Sequence, residues 1–237
     1  MIVRRLRRDG IAPVYPPLGR GQAQAIREHL RSTPTYPGHV RVYGDGVPRS
    51  WEESAERFDV WCHDMATVVA APYLWDLVIS LLPTAGRYLA APPRLYSLNA
   101  FWSRASAEAP RRDLQTWHRD HDDERFLAMF LYGTDVLTAA DGPHLFKRGT
   151  HEGTEDGEVE SVYGPAGTAF LADTRGLHMG MQPTSPEPRL LIWARWCVSE
   201  RPWSYDQDRL SPVPADRLGD RYPKDPKVQD LVRLVTA

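Results

Sequence analysis

Arg94-Leu95-Tyr96-Ser97-Leu98-Asn99-Ala100-Phe101-Trp102 opens the half of the chain that decides the fold. It follows Pro92-Pro93 and is the first of six short β-rich runs, at residues 94–102, 114–118, 126–132, 159–163, 168–172 and 189–198. Turn clusters separate them: Asp141-Gly142-Pro143, Gly164-Pro165-Ala166-Gly167 and Thr184-Ser185-Pro186-Glu187-Pro188. Short strands with Gly and Pro punctuation indicate an antiparallel sandwich or barrel.

Upstream the pattern is helical with Pro-rich joints. Residues 21–30 (GQAQAIREHL) form an amphipathic helix after a Pro-bounded apolar stretch at 11–18. Ser50 with Glu53 three residues on is a capping-box pattern. From there apolar residues recur at helical spacing through Phe58, Trp61, Met65, Val68 and Val69. Pro72 breaks that helix, and a second piece over 73–82 ends at Pro83. The expected class is α+β: a mainly helical scaffold over 1–93, a double-stranded β-helix (jelly roll, cupin-like) over 94–200, and a tail over 201–237, in one domain.

The 237 residues suit one full-core domain. A net charge of -2 argues against a nucleic-acid partner. No apolar run reaches the ~20 residues of a membrane span, and MIVRRLRRDG has no apolar stretch behind its arginines, unlike a secretory signal. Only Cys62 and Cys197 are present, so a disulfide framework and a four-cysteine zinc site are out of reach. A cytoplasmic protein with two buried structural thiols is expected. Of 29 basic residues all but Lys147, Lys224 and Lys227 are Arg, a bias read as mostly compositional.

Phosphate-binding Gly-rich loops, the Gly-x-Ser-x-Gly elbow, His-Glu-x-x-His and Cys-x-x-Cys are all absent. What stands out is Gln115-Thr116-Trp117-His118-Arg119-Asp120. In a strand, residues i and i+2 share a face, which sets the His118 imidazole beside the Asp120 carboxylate. His178, behind a predicted strand, is the third candidate for a two-histidine, one-carboxylate facial triad, the set that suits non-haem Fe(II). Alone, His-x-Asp is weak, and a solvated pair in the acidic run Asp120, Asp122, Asp123, Glu124 is the plain alternative. Arg189 strengthens the metal reading. It opens the last strand, and a guanidinium inside a barrel mouth needs an anion, such as the far end of a dicarboxylate.

These motifs resemble the phytanoyl-CoA dioxygenase-like family of Fe(II)/2-oxoglutarate-dependent oxygenases. Gln115 to Asp120 is similar to its first metal motif. Phe126 to Val136 resembles the following strand and Thr-Asp turn. Asp141-Gly142-Pro143 with Lys147-Arg148-Gly149-Thr150-His151 resembles its Asn-Gly-Pro…Pro-Gly-Ser-His segment. Gly164 to Thr168 and Asp173-Thr174-Arg175-Gly176-Leu177-His178 resemble the second metal motif, and Arg8-Asp9-Gly10-Ile11 its opening. The likeness runs from about Asp9 to Trp196. Thr150 in place of Ser, Lys147-Arg148 in place of an apolar-Pro pair, and a short interval between the metal motifs depart from the pattern.

The resemblance implies Fe(II) on His118, Asp120 and His178. It implies 2-oxoglutarate on the iron with its C5 carboxylate on Arg189, O2 at the remaining position, and oxidation of a C–H bond with release of succinate and CO2. Asp120 argues for hydroxylation, or another C–H oxidation such as desaturation, since related halogenases lack this carboxylate. For the 2-oxoglutarate C1 end Asn99 is the first candidate and Gln115 the second, a satisfied strand-end amide being the plain reading of Asn99. Trp102, Trp117 and Trp193 are candidate pocket aromatics, with barrel core as their alternative. Arg195 shares the parity of Arg189 and would suit an anionic small-molecule substrate. Arg104, Arg111 and Arg112 are read as an exposed loop, and Arg4, Arg5, Arg7 and Arg8 as a solvated arm. His121 should point away from the metal, His144 is read as a solvated loop residue with a place lining the mouth as its alternative, and His151 as structural; His29, His39 and His63 have no identified carboxylate. The competing readings are an oxygenase of protein side chains and a non-catalytic cupin-like metal-binding module.

Overall fold

The computed structural model describes residues 1–39, 46–106, 115–202 and 213–236. Two antiparallel sheets face each other. The larger has seven strands in the order β1-β8-β5-β10-β4-β3-β2 and the smaller three in the order β7-β6-β9. The strands are β1 (Ile11–Pro13), β2 (Tyr36–Pro37), β3 (Val60–Cys62), β4 (Arg94–Ser103), β5 (Phe126–Tyr132), β6 (His144–Lys147), β7 (Val159–Val162), β8 (Ala169–Ala172), β9 (His178–Gly180) and β10 (Arg189–Cys197). This is the expected jelly-roll core on a helical scaffold.

Alternation along the central strands divides the core in two. Leu190, Ile192, Ala194 and Trp196 of β10 join Leu98, Ala100 and Trp102 of β4 and Leu127, Met129 and Leu131 of β5 against the helices. Leu191 and Trp193 join Phe101, Ala128, Phe130, Tyr132 and Phe170 on the face turned to the small sheet. The period of two places every residue of β10 on one face or the other, so Arg189, Trp193 and Arg195 share the inner face and Trp102 belongs to the outer one.

The helices are α1 (Ile2–Asp9), α2 (Arg20–Arg31), α3 (Trp51–Arg57), α4 (Met65–Ala70), α5 (Leu74–Ser80) and α6 (Leu82–Leu89), with a last one at Pro226–Val232. α2 buries Ala23, Ile26 and Leu30, one helical stripe. The Ser50 hydroxyl accepts from the Glu53 amide at 3.1 Å and starts α3 as expected.

Several expectations change. The helix read through Trp61 is broken by β3, because Val60 and Cys62 pack inward while Trp61 packs outward, burial on both faces that a strand permits. Ile11–Pro13 forms an edge strand on β8. Residues 115–120 are not a regular strand. His118 makes an isolated bridge with His178, and Leu114 lies outside the described residues. The N-terminal arginines sit on α1, which buries Leu6 and Asp9; Arg4, Arg7 and Arg8 are exposed, as expected, and Arg5 reaches Glu160 at 2.7 Å. The described part of the tail, 213–236, packs Val213, Leu218, Val232 and Val235 into the outer core.

Candidate metal centre

The bridge between His118 and His178 brings the two motifs together. His118 N–H donates to the His178 carbonyl at 3.1 Å, the reverse bond is 3.0 Å, and Asp120 N–H donates to the Thr174 carbonyl at 2.8 Å. These bonds keep residues 118–120 extended, so His118 and Asp120 face the same way although no regular strand forms. Arg119, pointing the other way, donates to the carbonyls of Thr150, Arg175 and Thr154 at 2.6, 2.7 and 2.6 Å. Thr150 donates to the Lys147 carbonyl at 2.6 Å and accepts from Leu177 N–H at 2.8 Å. A hydroxyl does this work, so threonine serves where serine is usual.

The second motif is anchored by Asp173, fully buried. It accepts from Tyr88 Oη at 2.6 Å and from Arg175 Nε at 2.9 Å. The turn it holds delivers His178 onto β9.

His118, Asp120 and His178 offer ligand atoms that all lie within 4.8 Å of one another, an arrangement able to hold a metal ion. The Nε2 atoms of His118 and His178 each stand 3.7 Å from an Asp120 oxygen. The Nδ1 atoms are within 2.7 and 2.9 Å of the Thr116 and Gly176 carbonyls. A carbonyl accepts only, so Nδ1 carries the proton and the Nε2 lone pair is left for a cation. Burial pushes the His178 pKa down to about 4, against the pull of Asp120, and keeps the ring in its ligating form. Burial works against the charged form of Asp120, yet the Arg195 guanidinium, with the two imidazoles, holds its pKa down at about 2. Asp120 Oδ2 is buried with no hydrogen bond, the Arg195 guanidinium standing 3.4 Å away as its ion-pair partner. Two neutral imidazoles and one carboxylate, whose Oδ2 makes no hydrogen bond, fit a divalent cation such as Fe(II).

Arg189 is 3% exposed. Its Nη1 donates to the carbonyls of Gly142 and Met181, its Nε has no partner, and no carboxylate among the described residues pairs with it. Burial pushes its pKa down to about 10, with Tyr132 opposing. A buried guanidinium without a counter-anion is a receptor for one. Gly142 makes room for it: its φ is +72° and an added Cβ would come within 2.6 Å of the Met181 carbonyl.

The other site candidates separate. Trp193 lies on the inner face, edge-on to Phe101 at 5.0 Å. Asn99, opposite Trp193 in the ladder, is buried and donates to Ser97 Oγ at 2.7 Å. Gln115 is buried beside the bridge segment. Trp102 does not join them: it stacks on Trp61 in the outer core and donates to His63 Nε2 at 3.0 Å. Trp117 is 37% exposed, with the Lys147 ammonium over its ring. Arg195 is turned to acidic neighbours, 3.4 Å from Asp120 and 2.7 Å from Asp122, rather than to an open pocket.

The acidic run is not an exposed loop. Asp122 also accepts from Tyr96 Oη, and Asp123 accepts from the amides of Val198 and Ser199 at 3.0 and 2.9 Å. His121 is exposed, as expected. Cys62 and Cys197 are both free and buried, and burial pushes the Cys197 thiol up to about 12. Arg111 and Arg112 lie outside the described residues. His144 is not the solvated loop residue preferred from sequence but takes the alternative place: it lies on β6, 2% exposed, stacked on His178 at 5.6 Å. Its four-residue strand, hidden behind the Asp-Gly-Pro turn, gave only a His/Phe alternation as a signal.

No family model matches the chain, and no curated protein matches it in sequence. Solved structures do. SnoK, a non-haem alpha-ketoglutarate-dependent carbocyclase from nogalamycin biosynthesis, aligns with a TM-score of 0.62 at 18% identity, covering 89% of this chain and 90% of that one. HygX from Streptomyces hygroscopicus, solved with nickel, 2-oxoglutarate and hygromycin B bound, aligns with a TM-score of 0.61 at 12% identity, covering 84% and 87%. SnoN, an epimerase of the same cofactor dependence and biosynthesis, aligns with a TM-score of 0.57 at 18% identity, covering 83% and 81%. At these identities the likeness is one of fold: the chain has the jelly-roll fold on which those 2-oxoglutarate-dependent enzymes are built.

Proposed function

We propose that the chain is an Fe(II)- and 2-oxoglutarate-dependent dioxygenase that hydroxylates a C–H bond of a small molecule. The observation that carries this reading is the pairing of two features on one inner face: a metal-competent His118–Asp120–His178 triad and a buried Arg189 with no anion of its own. The non-catalytic alternative is disfavoured, because a binding module has no need for all four. The fold neighbours act in small-molecule biosynthesis or hold hygromycin B, which supports a small-molecule substrate. The motifs add the likeness to the phytanoyl-CoA dioxygenase-like branch.

His118, Asp120 and His178 would hold Fe(II). Bound iron with 2-oxoglutarate and O2 supplies oxidation of a C–H bond, releasing succinate and CO2. The protein's own part is placement. The Thr116 and Gly176 carbonyls fix both imidazole tautomers. Arg195 keeps Asp120 ionised. Arg189 receives the C5 carboxylate of the co-substrate, and Asn99, with Gln115 second, is the amide assigned to its C1 end. Trp193 and Phe101 wall the inner face and exclude water from it. The Asp120 carboxylate argues against halogenation and so for hydroxylation or another C–H oxidation such as desaturation.

The test is anaerobic. Purified protein given Fe(II) and 2-oxoglutarate should develop a metal-to-ligand absorption band, and air should bring slow succinate release. A chain that shows neither, and on which His118→Ala has no effect, is not an oxygenase. A compound library read by succinate production then finds the substrate.

A further inference from the structure

We propose that His144 is a contact for the co-substrate, donating from Nε2 to the carboxylate that Arg189 receives. The proposal rests on the dioxygenase reading above and extends it to a residue that the motifs do not single out.

Two observations place His144 between the triad and Arg189. In the small sheet His144 pairs with Gly180 and Phe146 with His178, so His144 and His178 share a face one step apart, and their rings stack at 5.6 Å and 24°. On the other side, Arg189 grips the carbonyls of Gly142 and Met181, which both lie just beyond the His144–Gly180 pair at the end of the ladder away from His178. A dicarboxylate spanning from the metal to Arg189 therefore passes the His144 ring.

The ring is held for a ligand rather than for the fold. Phe130 and Phe170 contact it at 4.6 and 5.1 Å, and Tyr132 Oη accepts the His144 amide at 2.9 Å. Nε2 is nevertheless buried with no hydrogen-bond partner. A leucine would fill such an apolar slot without leaving a polar atom unpaired, so the imidazole needs another reason. Arg189 alone leaves the carboxylate undersatisfied. One Nη is already committed to two carbonyls, whereas a carboxylate offers about four acceptor positions. A neutral imidazole protonated on Nε2 supplies the missing donor.

The test uses Ni(II)-loaded protein, which reads binding without turnover. Calorimetric titration with 2-oxoglutarate is compared for wild type, His144→Leu and His144→Gln, alongside Ni(II) affinity from chelator competition. His144→Leu should weaken 2-oxoglutarate binding roughly tenfold with Ni(II) affinity within about twofold of wild type, and His144→Gln should recover most of the loss through its amide donor. Unchanged 2-oxoglutarate binding in His144→Leu overturns the proposal, as does equal loss in both variants or a parallel fall in Ni(II) affinity, which would mark His144 as packing for His178. A wild-type protein that binds Ni(II) but no 2-oxoglutarate overturns the dioxygenase reading along with this one.

Discussion

The Arg195 guanidinium stands 3.4 Å from the Asp120 carboxylate and 2.7 Å from that of Asp122, joining the predicted metal ligand to the acidic residue two positions beyond it. Its side chain lies over the Trp193 ring at 4.9 Å. One cation thus stands between two carboxylates that would otherwise repel each other. Arg195→Met should lower Fe(II) affinity about 10- to 100-fold, measured by chelator competition. Tyr96→Phe, which removes only the hydroxyl on Asp122, should have a much smaller effect. Unchanged metal affinity in Arg195→Met would show that Asp120 needs no such support.

Arg189 and the triad should be separable. Arg189→Met should weaken 2-oxoglutarate binding by 100-fold or more, given about 3 kcal/mol for a charge-assisted pair, and leave Fe(II) affinity unchanged. The same variant removes a buried, unpaired charge, so thermal stability without co-substrate should hold or rise. A clear loss of stability would mean that the two carbonyl contacts to Gly142 and Met181 already compensate it.

Strand parity predicts opposite behaviour for two tryptophans. Trp102→Ala should destabilise the protein by about 3–5 kcal/mol in urea unfolding, with 2-oxoglutarate affinity of the folded fraction near wild type. Trp193→Ala should alter the absorption band and substrate turnover. A band change in Trp102→Ala as large as that in Trp193→Ala would contradict the division of the core.

His63 gives the fold a pH dependence unrelated to the metal. Its ring is 1% exposed, with Nδ1 3.1 Å from the Pro34 carbonyl and Nε2 accepting from Trp102. Burial lowers its pKa from 6.5 to about 4. The unfolded chain therefore binds a proton that the folded chain refuses between those values. Stability from this group is complete above pH 6.5 and is lost as pH falls toward 4, by about 1.4 kcal/mol for each pH unit in that window. His63→Gln should flatten the change in urea midpoint between pH 7 and 5, and an equal slope in both proteins would assign it elsewhere.

Asp173 links stability to the metal site. Asp173→Ala leaves Arg175 and Tyr88 without their acceptor and frees the turn before His178, so a loss of about 3–5 kcal/mol should accompany weaker Fe(II) binding. Tyr88→Phe removes one hydrogen bond and should cost about 1 kcal/mol with metal affinity retained.

Local chemistry made much of this protein readable in one dimension. The turns are written in Gly and Pro, the strands in their apolar runs, the α3 cap in Ser50 and Glu53, and the inward parity of Arg189, Trp193 and Arg195 in the period of two. Those signals depend on neighbours a few residues apart, and so did the His118/Asp120 pairing, which held even though the segment proved to be a bridge and not a strand. What depended on distant partners was not readable. Val60–Cys62 follows helical spacing, and only burial against both core clusters makes it a strand. Arg195 looked free for a substrate until Asp122, 73 residues earlier in the chain, took its charge. His144 looked solvated because its burial comes from Phe130, Phe170 and His178, which only the pairing of β6 with β9 and the closure of the two sheets bring to its ring.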